Sequence, residues 1–188
     1  MTFPTDKFSQ IEIEQITDTR TPDARYFRNR ARGNKAPFFM IALTSAKLAY
    51  AEYLGVIAKL ESYENGLEIF TLPNPKPALA AFPNYLLQAN VSAGNKTVSL
   101  NRIADYQVGD FIQFSNHAKV YRISQITTGT RTVIGLSCPL VESVTTSHNV
   151  IYGANVVFQV CLEDMSPMKI QESIAKRFIV DVELIEQA

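Results

Sequence analysis

The chain has 188 residues and balances 18 Lys+Arg against 18 Asp+Glu, a formal net charge of +0, with 46% apolar and 19% charged residues. That composition excludes a disordered chain, and the lack of a basic excess argues against a dedicated duplex-DNA binder, which must displace counterions from phosphates. No apolar run reaches the roughly 18 residues that a membrane-crossing helix needs, and Met1 to Lys7 lacks the basic-then-apolar order of a secretion signal, so a soluble, unexported protein without a membrane partner is expected.

In chain order, residues 9–17 alternate Ile11 and Ile13 against Glu12 and Glu14, the period-two mark of a half-buried strand. A basic stretch follows from Arg20 to Lys35 and holds Arg25, Arg28, Arg30 and Arg32. Pro37 to Leu43 is a short apolar run that reads as a further strand. The period then changes: Ala46, Tyr50, Tyr53, Leu54, Ile57 and Leu60 recur at three- and four-residue steps, predicting one helix over about 45–64. Thr44 is its expected N-cap, and Asn65-Gly66 its left-handed stop. Its expected role is to cover the apolar face of a sheet. Leu67 to Leu72 resumes strand character, and the prolines at 73, 75 and 77 then forbid helix and sheet alike, which suits a stiff connector.

From Asn84 the texture is all-β. Short candidate strands fall at 85–91, 97–101, 110–115, 119–126, 132–138 and 149–152, separated by turn chemistry such as Val108-Gly109-Asp110 and Ser115-Asn116-His117. That count suits a small closed barrel of the OB type. Two more alternating strands end the chain, at 156–162 and 177–185, with a loop at Asp164 to Met168 between them. A terminal strand pair far from the N-terminal strands would leave two half-cores. The expected organisation is therefore a mainly β protein: a discontinuous β-sandwich or split-barrel-like domain from 1–80 and 156–188 with one α-helix, and an inserted OB-like barrel over 84–155.

Charge is polarised across these segments. Residues 1–35 hold seven basic and five acidic side chains, net +2, whereas residues 156–188 hold three and six, net −3. The basic arm around Arg25, Arg28, Arg30 and Arg32 and the acidic strand with Asp181, Glu183 and Glu186 could meet head-to-tail across neighbouring copies. The competing reading is that these charges only keep strand edges from aggregating.

Catalytic chemistry is sparse. The histidines are His117 and His148, and there is no Gly-x-Ser-x-Gly elbow, phosphate-cradling glycine loop or His-Glu-x-x-His. Ser147 and His148 are sequence neighbours, and on a strand they would point to opposite faces. Cys138 and Cys161 form neither a CxxC pair nor a zinc set and read as small buried hydrophobes. No enzyme activity, cofactor or metal is expected. Because OB-folds bind single strands on stacking aromatics in a basic groove, Tyr85, Tyr106, Phe111, Phe114 and Tyr121, interleaved with Lys119 and Arg122, offer an alternative: a binding module for single-stranded nucleic acid or carbohydrate. A barrel this small needs most of those rings inside, however.

The barrel segment carries a family resemblance. Val108-Gly109-Asp110-Phe111-Ile112-Gln113-Phe114, then His117-Ala118-Lys119-Val120-Tyr121-Arg122-Ile123, then Ile134 to Leu140 with Pro139-Leu140 at its end, resembles the pattern of distal tail proteins in long-tailed, non-contractile phages, the T-five-like group in particular. The helix, the strand at 67–72 and Pro73-x-Pro75 follow the same order of elements. Ser92 to Lys96 is shorter and less glycine-rich than in many relatives. The resemblance implies a helix-bearing β-sandwich completed by the C-terminal strands, an inserted OB-like barrel and a hexameric ring at the phage tail tip in the virion. The ring would join the tail tube protein to hub or baseplate and to fibre or collar proteins, with genome DNA passing through the lumen unbound. It implies no catalytic residues. The expected ring interface is Arg25, Arg28, Arg30 and Arg32 against Asp181, Glu183 and Glu186, and the expected outward barrel surface is His117, Tyr121 and Arg122.

Overall fold

The computed structural model describes residues 3–16, 37–63, 68–75, 85–162, 171–172 and 177–187. The arginines 25, 28, 30 and 32, the Asn65-Gly66 stop and the loop at 164–168 lie outside the described residues. The fold is mainly β, with one α-helix and curled antiparallel sheets. It divides into two compact units, Met1–Pro75 with Gln159–Gln187, and Lys76–Phe158.

The first unit is built on a five-stranded sheet. Its strands are β1 (Phe8–Ile16), β2 (Phe38–Ser45), β3 (Phe70–Pro73) and, from the far end of the chain, β10 (Val157–Leu162) and β13 (Asp181–Glu186). Their order is β1-β2-β13-β10-β3. β2 explains the layering. Phe39, Ile41, Leu43 and Ser45 are buried while Phe38, Met40, Ala42 and Thr44 are half-buried, as strict alternation of side chains requires. In register with them, Val182 opposes Leu43 and Leu184 opposes Ile41, so the C-terminal strand completes the same apolar face.

Helix α1 runs over Tyr50–Glu61, shorter than the predicted 45–64. The cause lies at its start. Thr44 and Ser45 belong to β2, and the Ser45 hydroxyl is engaged elsewhere. Its Oγ accepts the Val180 N–H at 2.9 Å and donates to the Ala46 carbonyl at 2.9 Å. The N-cap of the helix is therefore Ala49 rather than Thr44, and the Glu52 carboxylate accepts the Ala49 N–H at 3.2 Å. That bond, with the Lys7 ammonium beside it, lowers the Glu52 pKa. Tyr53, Val56 and Leu60 form the buried stripe. Tyr53 stacks on Phe178 at 4.8 Å, and Tyr63, just past the helix, stacks on Phe70 at 4.2 Å. Phe178 lies on β12 (Phe178–Ile179), which pairs with β11 (Gln171–Glu172) in a separate two-stranded ribbon. The single strand read from the sequence over 177–185 is thus two, parted at Val180 where the chain turns to Ser45.

The second unit is a closed barrel of six antiparallel strands: β4 (Tyr85–Leu86), β5 (Thr97–Ser99), β6 (Phe111–Phe114), β7 (Val120–Thr128), β8 (Thr132–Leu136) and β9 (Asn149–Tyr152). The order is β4-β9-β6-β7-β8-β5. Closure comes from a bridge between Leu87 and Leu100, flanked by Gln88 N–H to Ser99 carbonyl at 2.8 Å and Asn101 N–H to Leu86 carbonyl at 3.0 Å. Closure removes the exposed edges of the sheet. Ile112, Phe114, Tyr121, Ile123, Ile134, Leu136, Val150 and Tyr152 fill the interior. One polar side chain on β6 is buried with them: Gln113 donates to the carbonyls of Ala118 and Val157 and accepts the Val157 N–H, so its burial is compensated. At the β6 entrance Gly109 has φ +93°, a conformation costly for any residue with a Cβ. Its N–H reaches the Ile123 carbonyl at 2.8 Å, and the neighbouring Asp110 carboxylate accepts the Tyr152 hydroxyl.

Candidate functional site

The acidic residues of the C-terminal strand do not lie on an edge. β13 stands between β2 and β10, with antiparallel ladders on both sides; an alternating strand rich in carboxylates can be interior when one of its faces is open. Glu186 is corrected furthest. It is only 1% exposed, and its Oε2 accepts the Phe39 N–H at 3.1 Å. It satisfies a donor of β2 from a buried position instead of standing on an open surface. Asp181 is half-buried and Glu183 exposed.

The ladders bring two further carboxylates to these. Gln10, Thr44 and Asp181 lie in one cross-strand row, and Glu12, Ala42 and Glu183 in the next. Glu14 opposes Met40 one row further on. Opposed residues share a face, so Glu12, Glu14, Asp181 and Glu183 line one face of three successive strands, the face opposite Ile41 and Leu43. Glu12 and Glu14 were legible in the sequence as strand alternation, but only the register joins them to Asp181 and Glu183. The four carboxylates, on β1 and β13 either side of β2, set a negative field across two strand spacings.

At the barrel, the expected outward trio is divided. Tyr121 is 0% exposed and belongs to the core; the inward face of β7 takes its ring, which packs on Phe114 at 5.6 Å. Its hydroxyl accepts the Val141 N–H at 3.0 Å and lies 3.3 Å from His117 Nε2. His117 is half-buried, edge-on to Phe114 at 5.9 Å, and burial lowers its pKa. Arg122 is half-buried with its guanidinium 5.4 Å from the Phe111 ring centre.

The alternative stacking groove fares poorly in this geometry. Phe111, Phe114 and Tyr121 are fully buried, Tyr106 stacks on Tyr152 at 4.0 Å inside, and Lys119 is only 2% exposed. Among the five rings only Tyr85 is not fully buried; it is half-buried, with the Arg102 guanidinium 5.8 Å from its centre. A single ring and one cation give no track for successive bases.

Reactive constellations are equally thin. His148 turns Nδ1 to the Thr145 N–H at 3.2 Å rather than to Ser147. Cys138 and Cys161 are free and buried. Among the described residues no group of three or more His, Cys, Asp and Glu is placed to hold a metal ion. A cleft of about 380 Å³ beside β3 is lined by Tyr63, Glu68, Ile69, Phe70, Thr71 and Gln159. Compared with known proteins, the chain matches no family model and no curated sequence.

Proposed function

We propose that the chain is a structural subunit of a phage tail tip, assembling into a ring that joins the tail tube to the hub and fibres around the DNA channel. The observation that carries this reading is the placement of the resemblance in the fold. Gly109-Asp110 forms the positive-φ turn into β6, Val120 to Ile123 open β7, and Pro139-Leu140 follows β8, so the three barrel motifs fall in one closed barrel that the chain order inserts between β3 and β10 of a helix-bearing sheet.

In a ring each subunit meets its neighbour through two different, complementary surfaces. The face with Glu12, Glu14, Asp181 and Glu183 supplies one, and the segment with Arg25, Arg28, Arg30 and Arg32 supplies matching charge in the next copy. The buried Glu186 has no part in it. Such a subunit performs no reaction, and the lumen leaves DNA unbound.

The deciding experiment is the mass in solution over about a hundredfold concentration range, by light scattering on a sizing column. A discrete species near six subunits supports the ring. Binding to single-stranded oligonucleotides that weakens with salt, together with a monomer at every concentration, would overturn it in favour of a binding module.

A further inference from the structure

Strand β6 is buried on both of its faces. Ile112 and Phe114 belong to the barrel interior, so alternation turns Phe111 and Gln113 outward, yet these two are only 0% and 8% exposed. The start of β10 helps to cover them. The Phe158 ring stands edge-on to Phe111 at 5.3 Å. Val157 is held through both of its backbone polar groups: Gln113 Oε1 accepts its N–H at 3.2 Å, and Gln113 Nε2 donates to its carbonyl at 3.1 Å. The same amide donates to the Ala118 carbonyl at 2.9 Å. A glutamine side chain thus pairs with Val157 as a neighbouring strand would, with one donor group and one acceptor.

β10 does not end there. It runs unbroken from Val157 to Leu162, and the two compact units divide inside it, one closing at Phe158 and the other resuming at Gln159. Past that point the strand belongs to the sheet. Val160, Cys161 and Leu162 face Glu186, Ile185 and Leu184 of β13, and the Gln187 N–H reaches the Gln159 carbonyl at 2.7 Å. The lead-in is fixed as well. A single 3-10 turn over Gly153–Asn155 follows β9, the Val156 N–H bonds to the Gly153 carbonyl at 3.2 Å, and Val156 is fully buried. A strand rises about 3.3 Å per residue, close to the full reach of a chain, so no slack lies between Val157 and Val160.

We propose that β10 is a taut relay, in which the Gln113 clamp on its first residue sets how firmly its far end pairs with β13. A strain put on the outer face of β6 is thereby felt in the β10–β13 ladder, through one strand and without any residue of the sheet being changed. The physical warrant is a single element whose position is fixed at both ends. The relay is a property of one chain and does not depend on ring assembly.

The test is amide hydrogen exchange of the whole chain, natural and Gln113→Met, at one pH. The substitution nearly keeps the side-chain volume and removes all three bonds of the clamp. Protection over 160–162 and 184–186 is expected to fall about tenfold or more, as the loss of buried hydrogen bonds implies, while the β1–β2 and β7–β8 ladders keep theirs within about twofold. Loss of protection at Val157 with 160–162 and 184–186 unchanged would overturn the proposal. So would an equal fall in every ladder, which is lost stability and no relay. Should Gln113→Met fail to fold, the sheet end is perturbed instead. Coupling is reciprocal, so Leu184→Val, placed opposite Leu162, should speed exchange at Val157 together with 160–162. Faster exchange at 160–162 with Val157 unmoved would overturn the relay.

Discussion

Single side chains in this molecule tie charge to burial in two different ways. His117 is kept neutral by burial, its pKa below the ordinary 6.5. The unfolded chain therefore takes up this proton more readily than the folded one. The stability it contributes is present above the unfolded value and is lost as pH falls from there through the folded value. Denaturant midpoints measured at successive pH should decline in that window, and the decline should shrink in His117→Phe. Glu186 shows the other case, a carboxylate whose oxygen closes a backbone donor. Glu186→Ala should destabilise the fold by about 1–3 kcal/mol, because the buried Phe39 N–H loses the carboxylate that accepts it. Glu186→Gln keeps an acceptor and should cost clearly less, and urea titration separates the two. Neither role was legible in the sequence. A carboxylate near the end of an alternating strand reads as solvated until the ladder shows which backbone group it faces.

Among the elements, α1 is the one whose sequence and surroundings disagree most. Gly55 lies in its middle, and a Cβ built there meets nothing within 4 Å. Tyr50 and Leu54 are exposed beside it. A helical glycine costs about 1 kcal/mol against alanine, and no neighbour in the chain requires the missing side chain. Gly55→Ala should raise stability by about that amount, read as a higher denaturant midpoint with unchanged slope. Gly109 is the opposite case. Gly109→Ala should cost roughly 1–2 kcal/mol, because its φ is left-handed. Local pattern marked α1 and β1 by their period, β2 as a short apolar run, and the six barrel strands by the turn chemistry between them. The helix start and the break at Val180 were not marked. Both depend on Ser45, whose hydroxyl serves a residue at the other end of the chain, and local pattern carries no such partner.

For the whole molecule, the proposed ring makes a prediction in charge. Arg28→Glu with Arg30→Glu should abolish rings in light scattering, and adding Glu12→Lys with Glu183→Lys should restore them in part, because the exchange keeps opposite signs across the contact. Rings that persist in the first variant would remove the arm from the interface. The candidate interface was half legible: segment charges named Asp181 and Glu183, while Glu12 and Glu14 came only from strand register. Tyr121 was misplaced because a tyrosine on an alternating strand has one polar tip, and the sequence does not show that Val141 and His117 meet it inside.

The insertion point has a consequence for how the sheet holds together. β3 and β10 are neighbours in the ladder, and the chain between them is a long excursion. Pairing them across a limp loop of that length would carry a closure entropy on the order of a few kcal/mol. Within the excursion the first and last barrel strands pair with each other, Tyr85 opposite Val150 and Leu86 opposite Asn149, so those two points of the chain are already drawn together. The folded barrel thus acts as a clasp whose closed state shortens the tether between two strands it does not belong to. Loosening the clasp should weaken the sheet without altering any residue in it.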